Sequence, residues 1–258
     1  MCCYLFAHWS FLGRGVPNWI LDKEKKMSYL SVKLGFWSAF LSAVAFIVFT
    51  VCFVAILMVS PMFMWTDLSA YVAYVHDNNQ IFQHLARLTM LLFGPLFVVL
   101  LNSVHDYAAE DKKILTRIGI CFGVGFAALI CSNYFVQLSI VRQSITQGHL
   151  EGLGQIVQAN PASAVSAINM LGWSLFLGLS SLFVAPVFSG SRLEKVIKIM
   201  FLLNGLSCIL GGIGYVFEFT LLLFFSINFG MGGSVTIITI LLCVLFKRLE
   251  KSSPVGYL

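Results

Sequence analysis

Apolar residues do not alternate with polar ones along this chain; they come in long unbroken runs. Six windows without a charged residue lie at 36–59, 88–104, 118–141, 164–188, 199–217 and 219–246. A helix of about 17–25 apolar residues crosses the hydrocarbon layer of a bilayer. Five windows have that length. The sixth is longer, and its SINFGMGGS (226–234) predicts a loop or break, so the last helix is placed at about 226–246. Only helices and closed barrels satisfy all their backbone groups in lipid, and barrel strands alternate with period 2. The runs here lack that period and predict helices.

The charges between the windows orient them. Lys23, Lys25, Lys26 and Lys33 precede the first helix, and Lys112, Lys113 and Arg117 separate the second from the third. Arg192, Lys195 and Lys198 separate the fourth from the fifth, and Lys247, Arg248 and Lys251 follow the last. With Arg14, these are 14 of the 16 basic residues; only Arg87 and Arg142 fall in the alternate segments. The positive-inside rule then predicts an all-α membrane protein of six transmembrane helices with both termini in the cytoplasm. The expected location is the cell membrane, in multi-pass form, with a prokaryotic cytoplasmic membrane the natural setting.

Composition agrees and excludes other classes. Charged residues make up 10% of the chain, against about 25% in soluble domains, too few to cover a water-facing surface. The net charge of +5 follows topology rather than a nucleic-acid footprint, so no nucleic-acid partner is expected. Cys52, Cys121, Cys131, Cys208 and Cys243 lie inside apolar runs and read as small packing residues. Residues 1–26 lack a signal-peptide pattern, and Met27 opens a natural-looking start. This divides the chain into an extension at 1–26, either a start-site artefact or a lipidation-prone segment with Cys2 and Cys3, and a transmembrane domain at 27–258.

Two of the segments expected outside are not featureless. Residues 62–86 carry Trp65, Tyr71, Tyr74 and Phe82, and 149–158 place Leu150, Leu153 and Val157 on one face. Both read either as short interfacial helices or as loops packed on the bundle. At 160–163, NPAS reads as a helix start, with Asn160 as cap and Pro161 in the first turn. Water channels also use Asn-Pro-Ala, but in two copies on half-helices; here one copy opens a full span.

Candidate chemistry gathers in the outer half. On the third helix, Asn133 lies roughly 6 Å outward of the midplane and Gln137 about 12 Å, one turn apart on one face. Asn169 and Trp173 on the fourth helix, Tyr215 and Glu218 at the end of the fifth, and Asn228 opening the sixth fall at similar depth. Amides in lipid need partners. The cluster therefore reads either as interhelical glue or as a polar cavity open to the outside. Arg87 and Arg142 are the candidate charge partners, for Glu218 or for an anionic group in that cavity. Glu218 alternatively is a plain turn residue. Asn102, His105 and Asp106 lack a second ligand at metal spacing and read as a solvated loop. GICFG (119–123) is a small-residue pattern for close helix approach. No catalytic, cofactor or metal motif occurs, and a non-enzyme is expected.

From Met27 onward the chain resembles small six-helix membrane proteins of prokaryotes whose families have no assigned activity; WSLFLGLSSLFVAPVF (173–188) carries the likeness. The resemblance implies the architecture and transfers no activity or site residue. The function expected is a small permease or carrier using the outer polar cavity for an unknown small molecule. The alternative is a non-transporting subunit or sensor that binds a partner membrane protein or lipid through its outer loops.

Overall fold

A computed structural model describes residues 27–61 and 63–252; the extension at 1–26, with Cys2 and Cys3, lies outside the described residues. These fold into helices and turns with no strand among them. Six helices are long and apolar enough to cross a membrane. They are α1 (Tyr29–Val59), α3 (Ile81–Tyr107), α4 (Glu110–Gln147), α5 (Ala164–Val187), α6 (Arg192–Val216) and α7 (Thr220–Lys251). A shorter helix, α2 (Leu68–Asp77), follows α1. The protein is an integral, multi-pass membrane protein.

The six spans form a ring in chain order. Each packs against its sequence neighbour, and α7 returns to α1. The centre is filled by aromatic rings from four helices. Trp173 of α5 stacks on Phe93 of α3 (interplanar angle 7°) and meets Phe126 of α4 edge-on at 4.9 Å. Phe46 of α1 closes on Phe93 at 4.8 Å. The outside of the ring is as apolar as the inside: Val51, Ile199, Leu206 and Leu221 are all exposed. An exposed apolar belt of this kind suits acyl chains as solvent.

Every helix runs to or beyond its hydrophobic window, save α5 and α6, which stop one residue short, and α7, which starts one residue late. Ser28 caps α1 by accepting from the Ser31 amide at 3.1 Å, so Lys33 is helical. The α6 start at Arg192 rests on a capping box between Ser191 and Glu194. Two expectations are corrected. The break at SINFGMGGS does not occur: α7 begins at Thr220, and Phe225–Met231 is a π-helical segment continuous with its flanks. In lipid a broken backbone would leave amides unpaired, and a wider helical turn keeps them bonded. Asn160 is not the cap of α5. Ser163 holds that place, accepting from Ser166 N at 3.2 Å, while the Asn160 side chain accepts from Ala162 N in the approaching turn.

Small residues set the closest approach. A Cβ on Gly119 of α4 would lie 2.7 Å from Val184 and 3.2 Å from the Ser180 carbonyl of α5. The Ser180 hydroxyl also donates to the Gly119 carbonyl at 2.8 Å. The GICFG pattern therefore does what such patterns do, letting two backbones touch. Deeper in the bundle, Asn204 of α6 donates to Ser181 of α5 at 2.7 Å and accepts from Ser234 of α7 at 3.0 Å. One buried amide thus joins three helices.

Gly119→Val should lower the unfolding free energy in detergent by about 1–3 kcal/mol, the usual cost of overpacking, whereas Gly233→Ala, whose Cβ meets nothing within 4 Å, should not. Thermal unfolding followed by cysteine accessibility would compare them.

Candidate functional site

The end of the ring away from most of the lysines carries α2, the 148–163 loop and the α6–α7 turn. Three π-helical segments occur among the described residues: Gln137–Val141, Gly172–Phe176 and Phe225–Met231. All three include residues that line cavities. A π turn adds a residue to the helix and rotates the side chains beyond it, and such turns cluster at functional sites.

The larger cavity, about 780 Å³, lies between α1 and α7. Its walls are Phe46, Phe53 and Leu57 on one side and Ile227, Phe229 and Ile237 on the other. Val51 (62% exposed) and Phe229 (65%) stand at its rim, so it is a groove in the flank of the bundle. Its floor is polar and reaches the bundle centre through Tyr134, Gln158, Asn169 and Trp173. Tyr134, Asn169 and Trp173 are all buried there. The Asn169 oxygen is buried with no hydrogen-bond partner.

The sequence-derived candidates separate into two groups. Asn169, Trp173 and Asn228 line the groove. Asn228 nevertheless turns its amide onto its own helix, donating to the Phe224 carbonyl. Asn133, Gln137, Tyr215 and Glu218 do not line it. Gln137 donates to the Ile156 carbonyl at 2.7 Å and accepts from Gln158 N at 3.0 Å. It holds the loop over the bundle as a neighbouring strand would. Tyr215 donates to the Pro161 carbonyl at 2.7 Å, tying α6 to the same loop. Glu218 is exposed in the α6–α7 turn with φ at 59°, in the left-handed region that favours glycine. No ion pair joins it to Arg87 or Arg142 among the described residues. Instead the two arginines line a second, smaller cavity, of about 330 Å³.

Asn133 is fully buried, and neither its nitrogen nor its oxygen has a partner. The structure gives no hydrogen-bonded account of it.

Both loop segments pack on the bundle rather than trail from it. Residues 68–77 form α2, capped by Asp67. Residues 149–158 contain only a 3₁₀ turn at Leu153–Gln155, with Leu153 and Val157 buried against Tyr71, Val141 and Ile145. At the lysine-rich end, His105 pairs with Thr116, Asp106 accepts from Ser31 and Asn102 donates to Val98. Those three residues therefore face three different partners. No group of three potential metal ligands occurs among the described residues.

Sequence reasoning missed Tyr134, Gln158 and Asn204. Tyr134 and Gln158 sit beside chosen residues, but their convergence needs the π turn at 137 and the loop fold. Asn204 carried a signal: it is the lone amide of its window. No family model, curated protein or solved structure matches this chain.

Gln137→Leu leaves the Ile156 carbonyl and Gln158 amide without partners, which costs about 1–3 kcal/mol for each buried group. Hydrogen exchange should show faster exchange confined to residues 153–160, with the six spans still protected.

Proposed function

We propose that this protein is a small membrane carrier whose ligand is amphipathic, an acyl-bearing molecule that enters sideways from the bilayer. The observation that supports this reading is the groove between α1 and α7, apolar along its walls and polar at its floor. A water-soluble solute would gain nothing from walls of Phe, Leu and Ile. An acyl chain would pack on them, while the free Asn169 oxygen accepts a hydroxyl or amide hydrogen of the headgroup. The volume falls in the range of small-molecule sites, about 300–1,000 Å³. By the positive-inside rule this floor lies in the outer half of the membrane.

A partner-binding subunit or sensor finds less support. Its docking surface would be the loops, and these bury Tyr71, Leu153 and Val157 against each other.

Gly233 gives a clean test. It lines the groove, and a Cβ there meets open space. Gly233→Leu fills the groove while improving helix propensity by about 1 kcal/mol, so the variant should fold. A photoactivatable diazirine lipid in nanodiscs should label α1 and α7 of the wild type within the groove, and Gly233→Leu should lose that labelling. In proteoliposomes, the transbilayer movement of a fluorescent lipid should fall with it. Labelling spread evenly around the apolar belt and unchanged in the variant would refute the reading.

A further inference from the structure

The smaller cavity holds both basic residues of the lysine-poor end. Arg87 near the start of α3 and Arg142 in the last turns of α4 line it together with His76, His84, Gln80 and Thr146. The sequence separates the arginines widely, and the fold brings them to one pocket. They lie close enough to His84 for both to act on it electrostatically. No Asp or Glu lines the pocket, and among the described residues neither guanidinium forms an ion pair. Arg142 makes one hydrogen bond, from Nε to the Leu138 carbonyl at 3.2 Å.

Two positive charges gathered without a carboxylate repel each other, and the low-dielectric bilayer beside them strengthens the repulsion. Arg142 is exposed and Arg87 half-buried, so the pocket is reachable from solution, and an anion entering it would relieve the repulsion. Guanidinium groups match oxyanions through paired N–H donors. A carboxylate offers one negative charge; a phosphate monoester near neutral pH carries about 1.5 to 2, which balances two arginines. Gln80 and Thr146 supply neutral hydrogen-bonding groups around them.

We infer that the pocket between Arg87 and Arg142 is a binding site for a terminal phosphate group. The group comes either from inorganic phosphate in the external solution or from a monoester lipid headgroup such as that of phosphatidic acid. This site stands apart from the α1–α7 groove: the two share no lining residue, and the inference does not rest on acyl-chain binding.

The test uses the full chain. In detergent, inorganic phosphate is titrated at constant ionic strength against chloride, with thermal stability as the readout. In nanodiscs, retention of phosphatidic acid against phosphatidylcholine is read by native mass spectrometry. Arg87→Gln and Arg142→Gln are each expected to weaken binding at least about tenfold, the loss of one charge-assisted contact. Arg117→Gln, an exposed basic residue at the other end, serves as control and leaves binding unchanged. Stabilisation by inorganic phosphate identifies a soluble ligand, and selective retention of phosphatidic acid alone identifies a headgroup; either supports the site. Gly233→Leu should leave both readouts intact, so a failure of the groove does not imitate a failure here. Phosphate no better than chloride and phosphatidic acid no better than phosphatidylcholine, or arginine variants that bind like the wild type, would overturn it.

Discussion

Inside a bilayer no water takes up an unmet hydrogen bond, so every polar group in this bundle must find a partner within the protein or a ligand. Most do, and the way they do it shapes the structure. Ser38, Thr50, Ser174 and Thr239 donate to carbonyls of the preceding turn of their own helices, which lets small hydroxyls sit in lipid at little cost. Asn204 cannot be satisfied on its own helix and recruits Ser181 and Ser234. Gln137 reaches further and takes hold of a loop. The π-helical segments answer the same constraint. They accommodate an extra residue, glycine-containing at 225–231, without opening the backbone ladder to lipid.

Asn133 and Asn169, together with Ser42, Gln83 and His84, are where the pairing of polar groups is incomplete among the described residues. Buried polar atoms without partners are few in folded proteins, and two amides of that kind stand here on neighbouring helices near the polar floor. Asn169 lines a cavity, so its free oxygen has somewhere to direct a bond. Asn133 lines neither cavity and only marks how polar this part of the interior is.

Hydropathy made the helix count and the ring's membership legible, because each window measures the thickness of the bilayer. It misplaced the helix ends for the same reason. Lys33 and Lys195 are helical yet lie outside the windows, since a helix leaves the hydrocarbon before it stops. Gly and Asn at 226–234 read as a break by rules drawn from water, where exposed backbone is tolerated. The groove itself was not legible. Its Val, Ile and Phe walls are the residue types that face lipid everywhere else on the belt. The joint pocket of Arg87 and Arg142 was half legible: sequence marked both as exceptional, but their meeting depends on how α3 and α4 pack.

The position of the groove follows from the ring's closure. Each neighbouring pair of spans but one is joined by chain at one end. The α3–α4 and α5–α6 pairs are joined at the lysine-rich end, and the α1–α3, α4–α5 and α6–α7 pairs at the other. Only α7 and α1 meet without a connection. Near the lysine-rich end they are clamped: a Cβ on Gly35 would lie 2.7 Å from the Phe246 ring, and the Lys247 ammonium sits 4.9 Å over Phe36. Toward the other end the groove opens between them. Water would drive such apolar walls together, but lipid tails are as apolar as Leu and supply no such force. A seam fixed at one end and parted at the other therefore stays open in a bilayer at almost no cost, and an acyl chain fills it as readily as a neighbouring helix would.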